Sequence, residues 1–360
     1  MPPDLAPPLQ TRAARVTAML ALALAAALLA ERLGMPLPWL LGPLLAVAAA
    51  GVLGAPVDCP APLRHGGQWV IGTSLGLTFT PPVLAAVLTL APAMAAGIGW
   101  ALLAGALYGR VLARFAGHGD AAQRRATAHF AAAFGGASEM AVLGERHGGR
   151  VDLIAMAHSL RVLIVVVTIP FALQAAGFES RLPASVGAGA VRPGGLVLLA
   201  ALTLGGAWLL RRAGGPNPFV LGSLAVALVL TGAGVELSAL PATVSQGGQL
   251  LIGCALGARF TPDFVRSAPR WVAAVVAGAF ALIALSGAFA WGVAQGAAQP
   301  WLTVLLGTSP GGIAEMCITA KVLQLGVPVV TAFHGTRYLE VRLATGPLFR
   351  WLEARTAPPG

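Results

Sequence analysis

The sequence predicts an all-α polytopic membrane protein built from two homologous repeats. Of its 360 residues, 57% are hydrophobic and only 10% are charged, whereas a typical soluble domain carries about 25% charged residues. Long apolar stretches recur along the chain, and the second half repeats motifs of the first. Too few polar side chains are present to cover a surface that faces water. An ordinary soluble enzyme and a free-standing DNA-binding protein are therefore excluded.

The charge balance and the cysteines narrow the class further. The formal net charge is +10, and nearly all of the basic residues are arginine, since Lys321 is the only lysine. In a membrane protein, an excess of basic residues in cytoplasmic loops explains this balance better than nucleic-acid binding does. Cys59, Cys254 and Cys317 form no CxxC pair, which argues against a disulfide framework and a zinc site. We expect no metal and no cofactor, and the cysteines to be small packing residues.

Four sequence blocks occur twice, in the same order. GGQWVIGTSLGLTFTP at 66–81 matches GGQLLIGCALGARFTP at 247–262 at ten of sixteen positions without a gap. PWLLGP from Pro38 matches PFVLGS from Pro218, GGASEM from Gly135 matches GGIAEM from Gly311, and the pair His158 and Arg161 matches His334 and Arg337. This pattern predicts a duplication. The predicted order is an N-terminal cytoplasmic tail (1–15), membrane repeat 1 (16–174), a linker (175–194), membrane repeat 2 (195–353) and a C-terminal tail (354–360).

Each repeat contains the same series of segments. Apolar helices are predicted at 16–33, 37–54, 83–109 and 152–174, and again at 195–212, 218–235, 267–291 and 327–350. Short Gly-rich segments lie at 67–79 and 249–260, and Gly-interrupted segments at 127–147 and 301–325. A hydrocarbon core of about 30 Å needs about 20 apolar residues to span it, so the short pieces are not ordinary spans. We predict about ten transmembrane helices plus two Gly-interrupted segments that are re-entrant or broken.

Arginine placement predicts that the repeats are inverted. Four arginines follow the 83–109 helix, whereas the equivalent loop 292–300 has no charge. Conversely, Arg259, Arg266 and Arg270 lead into the 267–291 helix, and the matching stretch 78–82 has no charge. Opposite charge bias in equivalent loops places them on opposite sides of the membrane. Five crossings per repeat then put both termini in the cytoplasm. The predicted location is a bacterial-type inner (plasma) membrane, which the chain crosses several times. If the Gly-interrupted segments cross, the count becomes six and the repeats are parallel.

Ionisable residues inside apolar segments are the candidate site residues, because burying each in lipid costs about 2.5–3.5 kcal/mol. Each Gly-interrupted segment carries two glycines and then a glutamate: Gly135, Gly136 and Glu139 in repeat 1, and Gly311, Gly312 and Glu315 in repeat 2. Paired glycines are predicted to break the helix and expose backbone. A glutamate beside such a break fits a cation or proton site. The alternative is a glutamate that is tied to an arginine and merely holds a hairpin.

A histidine and an arginine three residues apart share one face of the last helix of each repeat. They are His158 and Arg161 in repeat 1, and His334 and Arg337 in repeat 2. Arg161 lies near mid-helix and needs a partner, and Glu139 or Glu315 is the predicted one. One interpretation is a central substrate or ion site of two Glu, two His and two Arg, to which histidine gives pH sensitivity. The other is a polar clasp that only joins the repeats.

The short Gly-rich segments are predicted to be parts of discontinuous helices. Each opens on a glutamine and closes on Thr-Pro: Gln68 with Thr80 and Pro81, and Gln249 with Thr261 and Pro262. Proline stops the helix, and the threonine hydroxyl can satisfy the carbonyls that it leaves. Discontinuous helices are typical of the substrate region of a transporter. A kinked packing helix is the alternative.

The doubled motif set resembles the membrane AbrB family from about residue 15 to 353. The motifs are GGQ-x-x-IG-x-x-LG-x-x-FTP, GG-x-x-EM and H-x-x-R, each present twice. The resemblance implies the AbrB duplication and brings two labels, regulator of gene expression and ammonia monooxygenase. No copper or iron ligand pattern supports the second label. The sequence also lacks nucleotide-binding glycine loops, GxSxG and HExxH, so no enzyme is expected. The first label does not mean direct DNA contact, because no DNA-reading domain is present.

Two functions of different classes follow. The leading one is an inner-membrane, transporter-like or channel-like protein that moves an unknown small solute, with or without a coupled ion. The other is an AbrB-type membrane regulator or sensor that binds a ligand in the same cavity and affects gene expression through a soluble partner. The expected partners are membrane lipid and the small solute, and a homo-oligomer is compatible with the sequence. No nucleic acid is expected.

Overall fold

The computed structural model describes residues 9–117, 119–177, 189–262 and 268–356. Fifteen α-helices and one 3-10 turn have both ends described within these ranges. The predicted all-α class is therefore confirmed for this part of the chain. Most of the predicted linker (178–188), the outer parts of both predicted tails (1–8 and 357–360) and the stretch 263–267, which includes Arg266, lie outside the described residues.

The described helices are numbered here in chain order. In the first half they are α1 (Leu9–Arg32), α2 (Pro38–Val52), α3 (Ala61–Gly76), α4 (Pro81–Leu88), α5 (Ala91–Leu112), α6 (Ala121–Ala132), α7 (Ala137–Arg146) and α8 (Val151–Ala175). In the second half they are α9 (Pro193–Arg212), α10 (Pro218–Gly232), α11 (Ala242–Gly257), α12 (Pro269–Ala297), α13 (Trp301–Thr308), α14 (Ile313–Val322) and α15 (Val327–Thr356). Three pairs have equal lengths: α2 and α10 have 15 residues each, α3 and α11 have 16, and α7 and α14 have 10.

Five of the described helices are long and apolar enough to cross a membrane. They cover Thr11–Arg32, Ala91–Phe115, Val151–Ala175, Pro193–Arg212 and Pro269–Ala297, and α3 with α4 makes a sixth if that interrupted pair is one span. Helices α2 and α10 are apolar but rise only about 22 Å, at 1.5 Å per residue, against the ~30 Å of a hydrocarbon core. The chain is thus a helical, membrane-embedded protein. The count of ten spans stays a prediction.

The predicted helix at 83–109 is wrong as a single element. The chain instead forms α4, which ends at Leu88, and α5, which begins at Ala91. Pro92 lies in the first turn of α5, where its missing N–H and fixed φ suit a helix start and prevent continuation from the preceding turn. The hydroxyl of Thr89 donates to the Ala86 carbonyl at 2.7 Å and so satisfies one of the carbonyls at the end of α4.

The predicted ends of the short Gly-rich segments also need correction. Helices α3 and α11 begin at Ala61 and Ala242, several residues earlier than predicted, so Gln68 and Gln249 lie inside helices. Helix α3 does end, at Gly76, before the Thr-Pro step. However, Thr80 makes no capping hydrogen bond through its side chain. The hydroxyl of Thr78 donates instead to the Leu75 carbonyl at 2.7 Å.

The described chain divides into two compact units. The first contains the described parts of Met1–Ser74, Gly189–Val226 and Leu237–Ser267. In it, α3 and α11 cross at their GGQ motifs, where a methyl group on Gly67 would lie 2.9 Å from the Leu251 Cβ and 3.0 Å from the Gly248 carbonyl oxygen. Small residues of this kind let helix backbones approach closely. The repeated GGQ motif therefore forms a helix crossing.

The second unit contains the described parts of Leu75–Ala188, Ala227–Glu236 and Ala268–Gly360. It combines the long helices α5, α8, α12 and α15 with the short helices α6, α7, α13 and α14. Its helices are joined by a buried cluster of Ala101, Ala104, Phe134, Leu282 and Val341. All six of the Glu, His and Arg candidates lie in this unit.

Candidate functional site

Two helix breaks form the core of the site. Helix α6 ends at Ala132 and α7 begins at Ala137, and α13 ends at Thr308 and α14 begins at Ile313. The residue after each first helix is extended, with ψ of 145° at Ala133 and 151° at Ser309. The glycine before each second helix is also extended, with ψ of 138° at Gly136 and 156° at Gly312. The predicted Gly-interrupted segments are thus broken helices, and each break leaves backbone carbonyls without their helical donors.

The histidine and arginine of α8 satisfy the carbonyls at the first break. The Nε2 of His158 donates to the Phe130 carbonyl at 2.9 Å, and the Arg161 guanidinium donates to the carbonyls of Ala132 and Ala133 at 3.2 and 2.9 Å. Both side chains are buried, with 1% and 3% exposure. A cation at a helix C-terminus also complements the negative end of the helix dipole. This pair therefore stabilises the end of α6.

The second break is held in the same way by α15. The Nε2 of His334 donates to the Leu306 carbonyl at 2.8 Å, and the Arg337 guanidinium donates to the carbonyls of Ser309 and Gly311 at 2.7 and 3.1 Å. His334 and Arg337 are 1% and 4% exposed. In both repeats, the histidine lies 28 residues after the residue whose carbonyl accepts its hydrogen bond.

The geometry fixes the protonation of both histidines. Arg161 donates to the Nδ1 of His158 at 3.0 Å, and Arg337 donates to the Nδ1 of His334 at 2.8 Å. A guanidinium only donates and a carbonyl only accepts. Each ring therefore carries its proton on Nε2 and is neutral. This arrangement argues against the predicted pH sensing by His158 and His334.

The two glutamates occupy equivalent positions at the starts of α7 and α14. Glu139 and Glu315 are each the third helical residue, and each carboxylate folds back over the glycine that precedes the helix. A methyl group on Gly136 or Gly312 would overlap that carboxylate, so any larger residue there requires the glutamate side chain to move. A carboxylate in the first turn is stabilised by the unsatisfied N–H groups and by the helix dipole. The prediction that Glu139 or Glu315 pairs with Arg161 is wrong, because the Arg161 guanidinium is bound to carbonyls.

Gly135 and Gly311 have a packing role beside these glutamates. A methyl group on Gly135 would lie 2.8 Å from the Met140 Cε, and one on Gly311 would lie 2.6 Å from the Met316 Cγ. The methionine side chains thus cover the first glycine of each pair. In each break, the first glycine therefore makes room for the methionine of the following helix, and the second makes room for its glutamate.

Both guanidinium groups lie against one aromatic ring. The Cζ atoms of Arg161 and Arg337 are 5.5 and 5.7 Å from the centroid of the Phe134 ring, within cation–π range. Phe134 is 4% exposed and lies inside the first break. The hydroxyl of Tyr338 lies against the same break, since a methyl group on Gly136 would be 2.8 Å from its oxygen. The two breaks are therefore brought together around Phe134.

A small cavity adjoins the first break. Its volume is about 10 Å³, and its lining includes His129, Ala133, Phe134, Val341 and Thr345. This volume suffices for roughly one water molecule. The Nε2 of His129 donates to the Thr345 carbonyl at 3.2 Å at the edge of this cavity. Within the described ranges, no group of three or more His, Cys, Asp or Glu side chains is arranged to hold a metal ion.

Comparison with known proteins gives the family. The model described as Transition state regulatory protein AbrB matches residues 39–353, a range that contains both breaks and every residue of the site. The chain belongs to the AbrB family. The resemblance drawn from the doubled motifs is thereby confirmed.

Two curated relatives of this AbrB-family chain extend over nearly its full length. "Putative regulator AbrB" of Escherichia coli (strain K12) is 25% identical over 347 residues, which cover 90% of this chain and 92% of the relative. "Uncharacterized protein YhjN" of Bacillus subtilis (strain 168) is 25% identical over 344 residues, which cover 89% and 88%. No solved structure matches the chain.

The other residues that were predicted from the sequence of this AbrB-family chain lie on elements other than the helices that flank the two breaks. Gln68 is half-buried in α3 and Gln249 is buried in α11, both in the first unit. Thr80 and Pro81 start α4 in the second unit. Thr261 is an exposed coil residue and Pro262 is a half-buried helical residue of the first unit.

Sequence reasoning missed three residues of the site: Phe134, Tyr338 and His129. Phe134 and Tyr338 correspond to Pro310 and Val162 in the other repeat, at the spacing of 176 that relates the two sets of glycines. Because the two repeats differ at these positions, the repeat pattern does not mark them. Phe134 had one usable signal, because a lone aromatic residue lies directly between the end of α6 and the glycine pair.

Proposed function

We propose that this AbrB-family protein is an inner-membrane transporter for a small solute, and that the solute or a coupled ion binds at the two helix breaks. The observation that carries the proposal is the matched pair of breaks in one unit. Each break has a carboxylate at the start of its second half-helix and a buried His–Arg pair at the end of its first. Interrupted helices at membrane depth supply binding groups for ions and charged solutes in secondary transporters.

The hydrogen bonds indicate different roles for the basic residues and the glutamates of this proposed site. The histidines and arginines bind backbone carbonyls, so they hold the breaks open and fix their shape. Glu139 and Glu315 are then the groups that exchange a proton or a cation. Neutralising either carboxylate weakens its attraction to the positive end of its half-helix. Occupancy of the site would thereby change the stability of the break, which couples binding to movement.

We further propose that the two repeats are inverted, with both termini in the cytoplasm, and that one half rocks against the other. The equal lengths of α2 and α10, α3 and α11, and α7 and α14 support a duplication, and the arginine distribution supports inversion. Inverted repeats of this kind underlie alternating access in several transporter folds. The proposal involves no catalysis and no resident cofactor.

Cysteine labelling tests the orientation. In a background where Cys59, Cys254 and Cys317 are replaced, we would introduce Thr80→Cys and Thr261→Cys, which are equivalent positions of the repeats. The two sites should react with a membrane-impermeant maleimide from opposite sides. Arg355→Cys, in the exposed last turn of α15, marks the proposed cytoplasmic side. Reaction of both test sites from the same side would show parallel repeats.

Flux through proteoliposomes tests the function. The purified chain would be reconstituted with a pH-sensitive dye inside and exposed in turn to a panel of amino acids, small carboxylic acids, small amines and monovalent cations. We expect at least one compound to drive a change of internal pH, and we expect Glu139→Gln and Glu315→Gln to abolish it. Glu145→Gln is the matched control, because Glu145 lies on α7 with Glu139 but is exposed. Full activity of both Gln variants at wild-type levels of insertion would defeat the assignment of the carboxylates.

A regulatory role is the second candidate, and the family description and the name of the Escherichia coli relative favour it. In that case the same site would bind a ligand and pass the change to a cytoplasmic partner without moving solute across the membrane. The two functions are separable in one preparation. A regulator should show ligand-dependent thermal stabilisation but no flux for the same compound, whereas a transporter should show both.

A further inference from the structure

A cluster of basic side chains lies at the C-terminal end of α9 in the first unit. Arg211 and Arg212 form the last turn of this helix and are exposed. The Cζ of Arg211 lies 6.0 Å from the centroid of the Phe219 ring. The imidazole of His65 stacks on the same ring, with 4.2 Å between centroids and 11° between planes. Arg64 and Arg211 both interact electrostatically with His65. The start of α3, the end of α9 and the start of α10 thus bring several basic side chains together, and these form one basic group.

The charge of this group is not balanced by acidic side chains. Among the described residues, no carboxylate contacts Arg64, Arg211 or Arg212. The acid nearest to Arg64 in the chain, Asp58, is paired with Arg12 at 2.8 Å. Like charges gathered in one place repel each other, and a guanidinium matches the oxygens of a phosphate group well. The group therefore suits a phosphate-bearing anion.

The surroundings of the group select a lipid as the source of that phosphate. Helix α9 is one of the candidate spans, and its Val197, Trp208 and Leu209 are 71%, 52% and 64% exposed. The Cζ of Arg212 lies 4.0 Å from the centroid of the Trp208 ring. Tryptophan and arginine at the end of an exposed apolar helix mark the headgroup level of a bilayer. A lipid that places its phosphate at the arginines would therefore lay its acyl chains along the exposed face of α9.

We propose that Arg64, His65, Arg211 and Arg212 form a binding site for the phosphate headgroup of an anionic phospholipid. The site lies on the side of the membrane where α1 begins, because the Arg12–Asp58 pair joins the first turns of α1 to the segment just before α3. It belongs to the first unit, and it does not depend on whether the second unit transports a solute.

Native mass spectrometry of the full chain, released from detergent, tests this site. The probes are phosphatidylglycerol and phosphatidylcholine with identical acyl chains. We expect the wild-type chain to retain phosphatidylglycerol more tightly, and we expect Arg211→Gln with Arg212→Gln to weaken that retention about 30-fold. The control is Arg192→Gln, which removes an exposed arginine just before the opposite end of α9. This variant should retain phosphatidylglycerol as tightly as the wild-type chain does.

Three outcomes would overturn the proposal. One is equal retention of the two lipids by the wild-type chain, a comparison that needs no variant to fold. Another is equal loss of retention in the double variant and the Arg192→Gln control. The third is displacement of phosphatidylglycerol by millimolar inorganic phosphate, which would identify a site for the free ion. If the double Gln variant is unstable, Arg211→Lys with Arg212→Lys keeps the charge, and it should retain most of the preference.

Discussion

The two helix breaks share a backbone geometry but differ in their surroundings. At the second break, eight of the ten residues of α14 are buried, including Glu315, which is 8% exposed. At the first break, only three of the ten residues of α7 are buried, and Glu139 is half-buried. The Ser309 hydroxyl adds a hydrogen bond to the Leu306 carbonyl at 3.0 Å, whereas Ala133 at the equivalent position has no hydroxyl.

This difference suggests that the second break has a structural role and that the first is accessible for binding. A break whose second helix is mostly buried is expensive to disturb, because buried polar groups that lose their partners there cannot turn to water. A half-exposed break can change the partners of its carboxylate at lower cost. The second break is therefore the more rigid element, and the first is the better candidate for exchange of an ion or solute. The predictions below test this contrast through the free energy of unfolding.

The largest effect should come from the arginine of the rigid break. Arg337→Gln removes the donors of the buried Ser309 carbonyl and the half-buried Gly311 carbonyl, so we expect a loss of about 3 kcal/mol of unfolding free energy. Arg161→Gln should cost about the same, because its guanidinium is equally buried and donates to two carbonyls of the first break, those of Ala132 and Ala133. SDS titration followed by tryptophan fluorescence measures both, since the chain contains 8 tryptophans.

The control for both arginine variants is Arg350→Gln. Arg350 lies on α15 with Arg337 but is exposed, and its replacement should change the unfolding free energy by less than about 0.5 kcal/mol. If Arg337→Gln and Arg350→Gln were equally stable, the hydrogen bonds from Arg337 to the carbonyls would contribute no stability. Other contacts would then have to hold the break.

A smaller effect is expected from the glycine beside each glutamate. In Gly312→Ala the new methyl overlaps the Glu315 carboxylate, which is buried and has little room to move, so we expect a loss of about 2 kcal/mol. In Gly136→Ala the half-buried Glu139 can swing away, so the loss should be distinctly smaller. The same SDS titration compares the two variants, and Gly335→Ala serves as control because a methyl there meets no atom within 4 Å.

A rescue variant identifies the cause of the Gly312→Ala effect. Adding Glu315→Ala removes the overlapping carboxylate, so the double variant should be more stable than Gly312→Ala alone. Equal stability of these two proteins would mean that backbone strain, and not the glutamate, sets the requirement for glycine. Equal losses in Gly136→Ala and Gly312→Ala would erase the proposed contrast between the breaks.

The sequence predicted the positions of the breaks because they depend on local chemistry. Paired glycines disfavour a continuous helix wherever they occur, and both breaks lie at the predicted glycines. The sequence also placed the His–Arg pairs on the correct helix face, since a spacing of three fixes that face. Family membership followed from the doubled motifs, which depend on residue identity alone.

The partners of the charged groups could not be predicted from residue types. A buried arginine suggested a carboxylate, but the carbonyls at the end of a broken helix supply the same negative potential and lie nearer in the folded chain. That choice depends on tertiary geometry, as does the position of Phe134 between two arginines. The helix starts at Ala61 and Ala242 were not predicted because the identity between the two copies begins at the repeated glycines, downstream of the prolines that precede each helix.

The smallest effect should come from Phe134, which has no aromatic counterpart at the second break. Phe134→Leu keeps most of the apolar volume but removes the ring that both guanidiniums face, so we expect a loss of about 1 kcal/mol of unfolding free energy. Phe280→Leu, an exposed phenylalanine of α12, is the control. Because the Cζ–centroid distances are 5.5 and 5.7 Å, double-mutant cycles with Arg161→Gln and with Arg337→Gln should give similar coupling energies. A coupling of zero in both cycles would reduce Phe134 to a packing residue, and a coupling in only one would mean that the ring belongs to a single break.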